Sequence, residues 1–208
     1  GVVQLREKDQ TARERYELGR ELRTLTREVG VTFVVNDRVD IAQALDADGV
    51  HLGDDDLPVS VARDLLGDDA LVGRSVSTVE DAEAAEAAGA DGLHLPEGLA
   101  RRAPAPVLAW PCRRPGRLLT VAAHGRAGLE RAGRLGADAA LLSPVFPTAS
   151  HPEAGGLGVL RFARLVREAP VPVLALGGIT EETARALRRS GAAGVAAVGA
   201  LTPDSRGR

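Results

Sequence analysis

Lysine is almost missing from this chain: all but Lys8 of its 26 basic residues are arginine. Methionine is absent and Cys112 is the single cysteine, which excludes an internal disulfide and leaves no thiolate pair at metal-ligand spacing. Aromatics amount to 2% of the residues, Trp110, Tyr16 and three phenylalanines, so no row of rings exists on which nucleobases could stack. The net charge of −3 likewise argues against a nucleic-acid partner. No apolar run approaches the roughly 18 residues that a membrane span needs, and no signal-peptide pattern opens these residues. The expectation is a cytoplasmic protein without a membrane or nucleic-acid partner.

What remains is ordinary globular material, 208 residues of which 44% are apolar and 26% charged, enough for one substantial core. Short β-branched or leucine-rich runs alternate with Ala/Arg/Glu segments of helical length. The runs predict strands at 2–7, 32–36, 49–52, 71–77, 92–95, 118–123, 139–145, 171–176 and 194–198. Val171-Pro172-Val173-Leu174-Ala175-Leu176 and Ala139-Ala140-Leu141-Leu142 are apolar on both faces, as strands covered by helices on both sides must be. Amphipathic stretches such as Thr78–Ala88 and Thr180–Ser190 lie between strands. The joints are small-residue turns, Ala47-Asp48-Gly49, Gly89-Ala90-Asp91-Gly92, Gly136-Ala137-Asp138-Ala139 and Gly191-Ala192-Ala193-Gly194, whose glycines suit left-handed helix C-termini.

Repeated βα units of this length predict an α/β fold, most simply a (β/α)8 TIM barrel. A doubly wound open sheet is the alternative, but no G-x-G-x-x-G follows the first strand. Two irregularities stand out. The first strand begins at residue 2 with no earlier βα unit, and Asp48-Gly49-Val50-His51-Leu52 is echoed by Asp91-Gly92-Leu93-His94-Leu95, which points to an extra βα unit near 92–120. Residues 98–117 form a Pro/Arg-rich connector and read as a solvated loop; the residues after Leu201 are a short polar tail.

In a barrel, functional groups collect where strands end and βα loops begin. Those positions hold Arg6 and Lys8; Asn36 and Asp37; His51 to Asp56; Ser75 and Ser77; Ser143 through Pro152; and Gly177-Gly178. Cations, carboxylates, hydroxyls and a glycine turn on one rim suit a phosphorylated substrate with Mg²⁺. The metal would sit between one or two carboxylates and phosphate oxygens, with Arg and Lys neutralising phosphate charge. The Gly177-Gly178 turn can present bare backbone N–H groups to a second phosphate. A lone lysine beside an arginine at a strand end suggests an anion contact that a flat guanidinium fork does not replace. His51 and His94 occupy matching strand positions and read as packing. His124 and His151 lie in loops and are the histidines suited to acid/base work or phosphate contact.

These residues resemble the thiamine phosphate synthase/TenI family. The resemblance runs through Val3-Gln4-Leu5-Arg6-Glu7-Lys8, Val35-Asn36-Asp37, Gly49-Val50-His51-Leu52-Gly53, Asp56-Leu57-Pro58 and Gly73-Arg74-Ser75. It continues in Ser143-Pro144-Val145-Phe146-Pro147-Thr148, Gly177-Gly178-Ile179 and Gly194-Val195-Ala196. It implies a synthase-like barrel domain over residues 1–201 and a tail at 202–208. The implied activity is a transferase reaction: hydroxymethylpyrimidine diphosphate and thiazole phosphate are joined, releasing pyrophosphate and thiamine phosphate. By this resemblance Gln4, Arg6, Lys8 and Asn36 hold the pyrimidine diphosphate, Asp37 and Asp56 bind Mg²⁺, and Ser75 lies near the pyrophosphate. Arg6, Lys8 and Ser75 are the residues expected to act in catalysis. Thr148, Ser150, His151 and Gly178 would meet the thiazole phosphate. The family also suggests a homodimer.

This chain departs from the family pattern. Ser150-His151-Pro152 stands where the synthases usually have Thr-Lys, Ser77 stands where histidine is usual, and His124 keeps a family histidine without its serine. The Ser-His-Pro form is similar to TenI-like members. A thiazole tautomerase, or a non-catalytic thiazole phosphate-binding or regulatory protein, are therefore the alternative readings.

Overall fold

The computed structural model describes residues 1–7, 9–101, 117–148 and 155–198. The chain divides into two compact units, Gly1–His94 and Leu95–Arg208. In the first, β1 (Val2–Leu5), β2 (Thr32–Asn36), β3 (Gly49–Leu52), β4 (Leu71–Ser75) and β5 (Gly92–Leu95, whose last residue opens the second unit) alternate with α1 (Ala12–Glu28), α2 (Val39–Ala44), α3 (Val59–Leu66) and α4 (Val79–Ala87). These strands pair in chain order and all are parallel.

The second unit contains α5 (Glu97–Ala100), β6 (Leu118–Ala123), α6 (Arg126–Arg134), β7 (Ala139–Leu142), α7 (Gly158–Glu168), β8 (Val173–Leu176), α8 (Glu181–Ala186) and β9 (Gly194–Ala196). Strands β6 to β9 are again parallel neighbours in chain order. This is the α/β, TIM-barrel-like class expected from the sequence. Nine strands appear among the described residues, β5 being the extra one.

Alternation decides which face each strand buries. In β2, Phe33 and Val35 are 0% and 1% exposed, while Thr32, Val34 and Asn36 on the other face remain half-buried. The opposite face is thus left for polar groups at the strand's end. Phe162 of α7 and Leu119, Val121 and Leu142 fill the equivalent core of the second unit.

The joints explain why register is unambiguous. Asp48 Oδ2 accepts the Phe33 N–H at 2.7 Å, Asp91 Oδ2 accepts Val72 N–H at 2.8 Å, and Asp138 Oδ2 accepts Leu119 N–H at 2.7 Å. In each case an aspartate just before one strand caps the first residues of the preceding one. The expected left-handed glycines occur at Gly89, Gly136 and Gly191. Gly49 differs: it is the first residue of β3, and Asp46 is the left-handed residue of that joint.

All nine predicted strands occur, several of them shorter. β8 begins at Val173 rather than residue 171, because Pro172 has no N–H for the ladder. Helix α4 matches its prediction within one residue at each end, Thr78 serving as its N-cap by accepting from Asp81 N–H at 3.0 Å. Helix α8 is shorter than the predicted Thr180–Ser190. Helix α5 occupies the start of the Pro/Arg-rich connector; residues 102–116 and the tail after Leu201 lie outside the described residues.

Candidate active site at the strand ends

In the first unit, Gln4, Arg6, Asn36, Asp37, His51, Gly53 and Ser75 line one cavity of about 220 Å³. They come from the C-terminal ends of β1 to β4 and the loops that follow, because parallel strands of similar length place their ends on one rim. Hydrogen bonds link these ends sideways. Gln4 Nε2 donates to Asn36 Oδ1 at 2.9 Å, and Asn36 Nδ2 donates in turn to Asp37 Oδ1. The Asp37 N–H donates to the His51 carbonyl at 2.9 Å. His51 Nε2 and Ser75 Oγ lie 2.9 Å apart.

Asp37 adopts a left-handed backbone with φ of +66°. Non-glycine residues seldom do so, and aspartate and asparagine tolerate it best. Asp56 is fixed by a tight local turn: its Oδ2 accepts the Gly53 N–H at 2.5 Å, and its own N–H donates to Gly53 O at 3.3 Å. Burial pushes the His51 imidazole below its usual pKa; Asp56 pulls it back up and Arg6 pushes it down. The carboxylate and the guanidinium therefore both act on one ring. Burial also drives His94 down to about 4, with His51 adding to the effect. Among the described residues Arg6 has no ion-pair partner, which leaves its charge facing the cavity.

The second unit carries Thr148 and Gly178. Gly178 is left-handed at φ +64°, and a Cβ there would stand 2.6 Å from Phe146 Cβ and 2.7 Å from the Pro147 carbonyl. Glycine is thus required, and the bare turn packs against the two residues immediately before Thr148. The expected site residues Lys8, Ser150 and His151 lie outside the described residues.

Two cavity residues fall outside the set expected to hold substrate or metal, His51 and Gly53. His51, expected to pack, does lie with its ring against Gly73, and it lines the cavity as well. The sequence signal available is its position one residue before the strand's end, ahead of a Gly-Asp-Asp-Asp loop. Gly73 makes room for it, since a Cβ there would stand 2.8 Å from His51 Nδ1. His124, expected as an acid/base or phosphate group, is engaged by Glu97, whose Oε2 accepts from its backbone N at 3.1 Å and faces Nδ1 at 2.5 Å. Arg131 and Arg101 also bond Glu97, at 2.5 and 3.3 Å. Burial works to raise the Glu97 pKa, but these hydrogen bonds and charges, His124 foremost, hold it below the usual carboxylate range.

Among the described residues no group of three or more His, Cys, Asp or Glu side chains could cage a metal. Of the two expected carboxylates, Asp37 lines the cavity, and Asp56 is not in the lining but is hydrogen-bonded to Gly53, which is. That donor set fits Mg²⁺ held by one or two carboxylates, water and substrate phosphate, and does not fit an all-protein site. No helix among the described residues is long and apolar enough to cross a membrane.

The sequence profile described as thiamine monophosphate synthase matches residues 1–96 and 81–201. The two matches share residues 81–96, the α4–β5 segment, where the strand count rises above that of an eight-stranded barrel. A thiamine-phosphate synthase of Haloarcula marismortui is 48% identical over 206 residues, 97% of this chain and 75% of that protein. One of Natronomonas pharaonis is 43% identical over 202 residues, covering 97% of this chain and 73% of that protein. Among solved structures, a native KDPGal structure is 19% identical with a TM-score of 0.53, covering 83% of this chain and 84% of the other, a likeness of fold alone.

Proposed function

Because this chain belongs to the thiamine monophosphate synthase family, we propose that it is a transferase joining hydroxymethylpyrimidine diphosphate to thiazole phosphate, with release of pyrophosphate and thiamine phosphate. The observation that carries this reading is the cavity that sets the Arg6 cation, the Asp37 carboxylate and the Ser75 hydroxyl around one space. In this reading residues 1–201 serve one synthase-like domain.

The reaction breaks the bond between the pyrimidine methylene carbon and the diphosphate oxygen, whose electron pair leaves with pyrophosphate. The thiazole nitrogen then supplies the pair for the new C–N bond. No protein nucleophile is needed. Gln4 and Asn36, tied by their mutual hydrogen bond, orient the pyrimidine. Arg6 and Lys8 neutralise the charge growing on the leaving group, and Ser75 donates a hydrogen bond to it. Donors held in place before the charge develops commonly lower such a barrier more than any other device. Thr148, Ser150, His151 and the Gly178 backbone receive the thiazole phosphate. Asp37 and Asp56 would hold Mg²⁺, which when bound adds positive charge against the departing diphosphate. Phosphorylated small molecules are the partners of this reading, and a cytoplasmic homodimer belongs to it as well.

The test is a pyrophosphate-release assay with both substrates, with and without Mg²⁺. Release that depends on both substrates and on metal is expected. Absent release, with thiazole phosphate still bound, would instead favour the tautomerase.

A further inference from the structure

Arg74 is a buried cation that the mechanism above leaves unused. It lies on β4 between Gly73, which seats the His51 ring, and Ser75, which lines the cavity. Alternation turns Arg74 to the opposite face, where it is only 8% exposed. A guanidinium so enclosed needs partners to offset its lost hydration. Nη2 donates to Asp81 Oδ1 at 3.2 Å, in the first turn of α4. Nη1 donates to the Leu57 carbonyl at 3.4 Å, immediately after Asp56.

A second tie reaches the same loop from the other side. Ser77 Oγ donates to Asp54 Oδ2, two residues before Asp56. Asp56 is thereby bracketed: Ser77 holds position 54, Arg74 holds position 57, and the internal turn to Gly53 sets the carboxylate between them. Both anchors belong to the strand and loop that also carry Ser75.

We propose that Arg74 and Ser77 are positioning residues that aim the Asp56 carboxylate at the metal held beside the cavity. The proposal rests on the reading that Asp56 holds that metal. It also accounts for the residue type at position 74. Two nitrogens of one planar fork reach a carboxylate and a carbonyl on different elements, a spaced two-point geometry that the compact ammonium of lysine does not reproduce. Partners that orient a ligand without touching the metal typically change affinity by about 10- to 100-fold.

The test is a Mn²⁺ titration of the protein in excess pyrophosphate, which supplies the phosphate oxygens of the site, followed by the enhancement of water-proton relaxation when Mn²⁺ is bound to protein, beside thermal midpoints for each variant. Mn²⁺ accepts the same oxygen donors as Mg²⁺. Ser77→Ala and Arg74→Met should each weaken Mn²⁺ binding by about 10-fold, with Arg74→Lys between Arg74→Met and the parent. Ser77 is exposed, so Ser77→Ala keeps the question answerable even if Arg74→Met folds poorly. Variants that lose thermal stability yet bind Mn²⁺ as the parent does would overturn the proposal and reduce both residues to packing. If the parent takes up no Mn²⁺ even with pyrophosphate present, the metal reading itself falls, and this proposal with it. Parent binding with unchanged variants defeats the positioning role alone.

Discussion

His51 Nε2 stands 2.9 Å from Ser75 Oγ across the β3–β4 pair, with its ring lying over Gly73. A histidine kept neutral by burial offers one donor and one acceptor, so this contact fixes how the serine hydroxyl is presented to the cavity. The two side chains come from residues 24 apart in sequence, yet they form one functional group.

The two should therefore behave as a coupled pair. His51→Ala and Ser75→Ala should each lower kcat, and the double variant should lose less than the combined losses of the singles. A coupling of about 0.5–3 kcal/mol is expected from kinetics on the four proteins. Strict additivity would mean that the contact has no part in turnover.

Asp37 separates charge from backbone conformation. Asp37→Asn keeps a residue that tolerates φ of +66° and should raise the Mg²⁺ midpoint of turnover by at least about 10-fold, with little change in stability. Asp37→Ala should show the same metal defect and in addition lose about 1 kcal/mol in urea denaturation. An unchanged metal titration in Asp37→Asn would remove Asp37 from the ligand set.

Lys8 is tested by the difference between two cations. Lys8→Ala should reduce kcat by about 100-fold, the scale for losing one donor to developing charge. Lys8→Arg should recover only part of it, because a fork does not occupy the position of a point charge. Full turnover in Lys8→Ala would exclude this residue from the site.

His94 makes stability depend on acidity. Its pKa in the folded protein is about 4, below the ordinary 6.5, so the unfolded chain binds the proton more readily. The stabilising contribution is complete above pH 6.5 and is lost as pH falls toward 4. Urea denaturation should show about 2 kcal/mol lost between pH 7 and pH 5 that His94→Gln does not lose. An identical pH profile in both proteins would show that His94 titrates normally.

Much of the rim could be read from local pattern alone. Arg6, Asn36, Asp37 and Ser75 all line the cavity, because strand ends in a parallel βα repeat share one edge whatever the detailed packing. Gln4 lines it too, but only the family resemblance points to it. His51 escaped for a related reason. Period-2 alternation says that it faces inward, but an inward histidine in a core and one at a cavity floor have the same pattern. Gly73 gave no signal either, since the need for a missing Cβ appears only once the imidazole lies against it.

The amino-acid order by itself determined the nine strands, their alternation with helices, and the edge where the polar residues gather. These follow from short-range properties: which side chains alternate, which turns accept glycine or aspartate, and which runs are apolar. Only the tertiary structure decided that His51 meets Ser75, that Asp37 takes a left-handed backbone, and that Arg74 and Ser77 brace the Asp56 loop. Each of these depends on the register between separate strands and on the space that neighbouring elements leave, and neither quantity exists until the chain has folded.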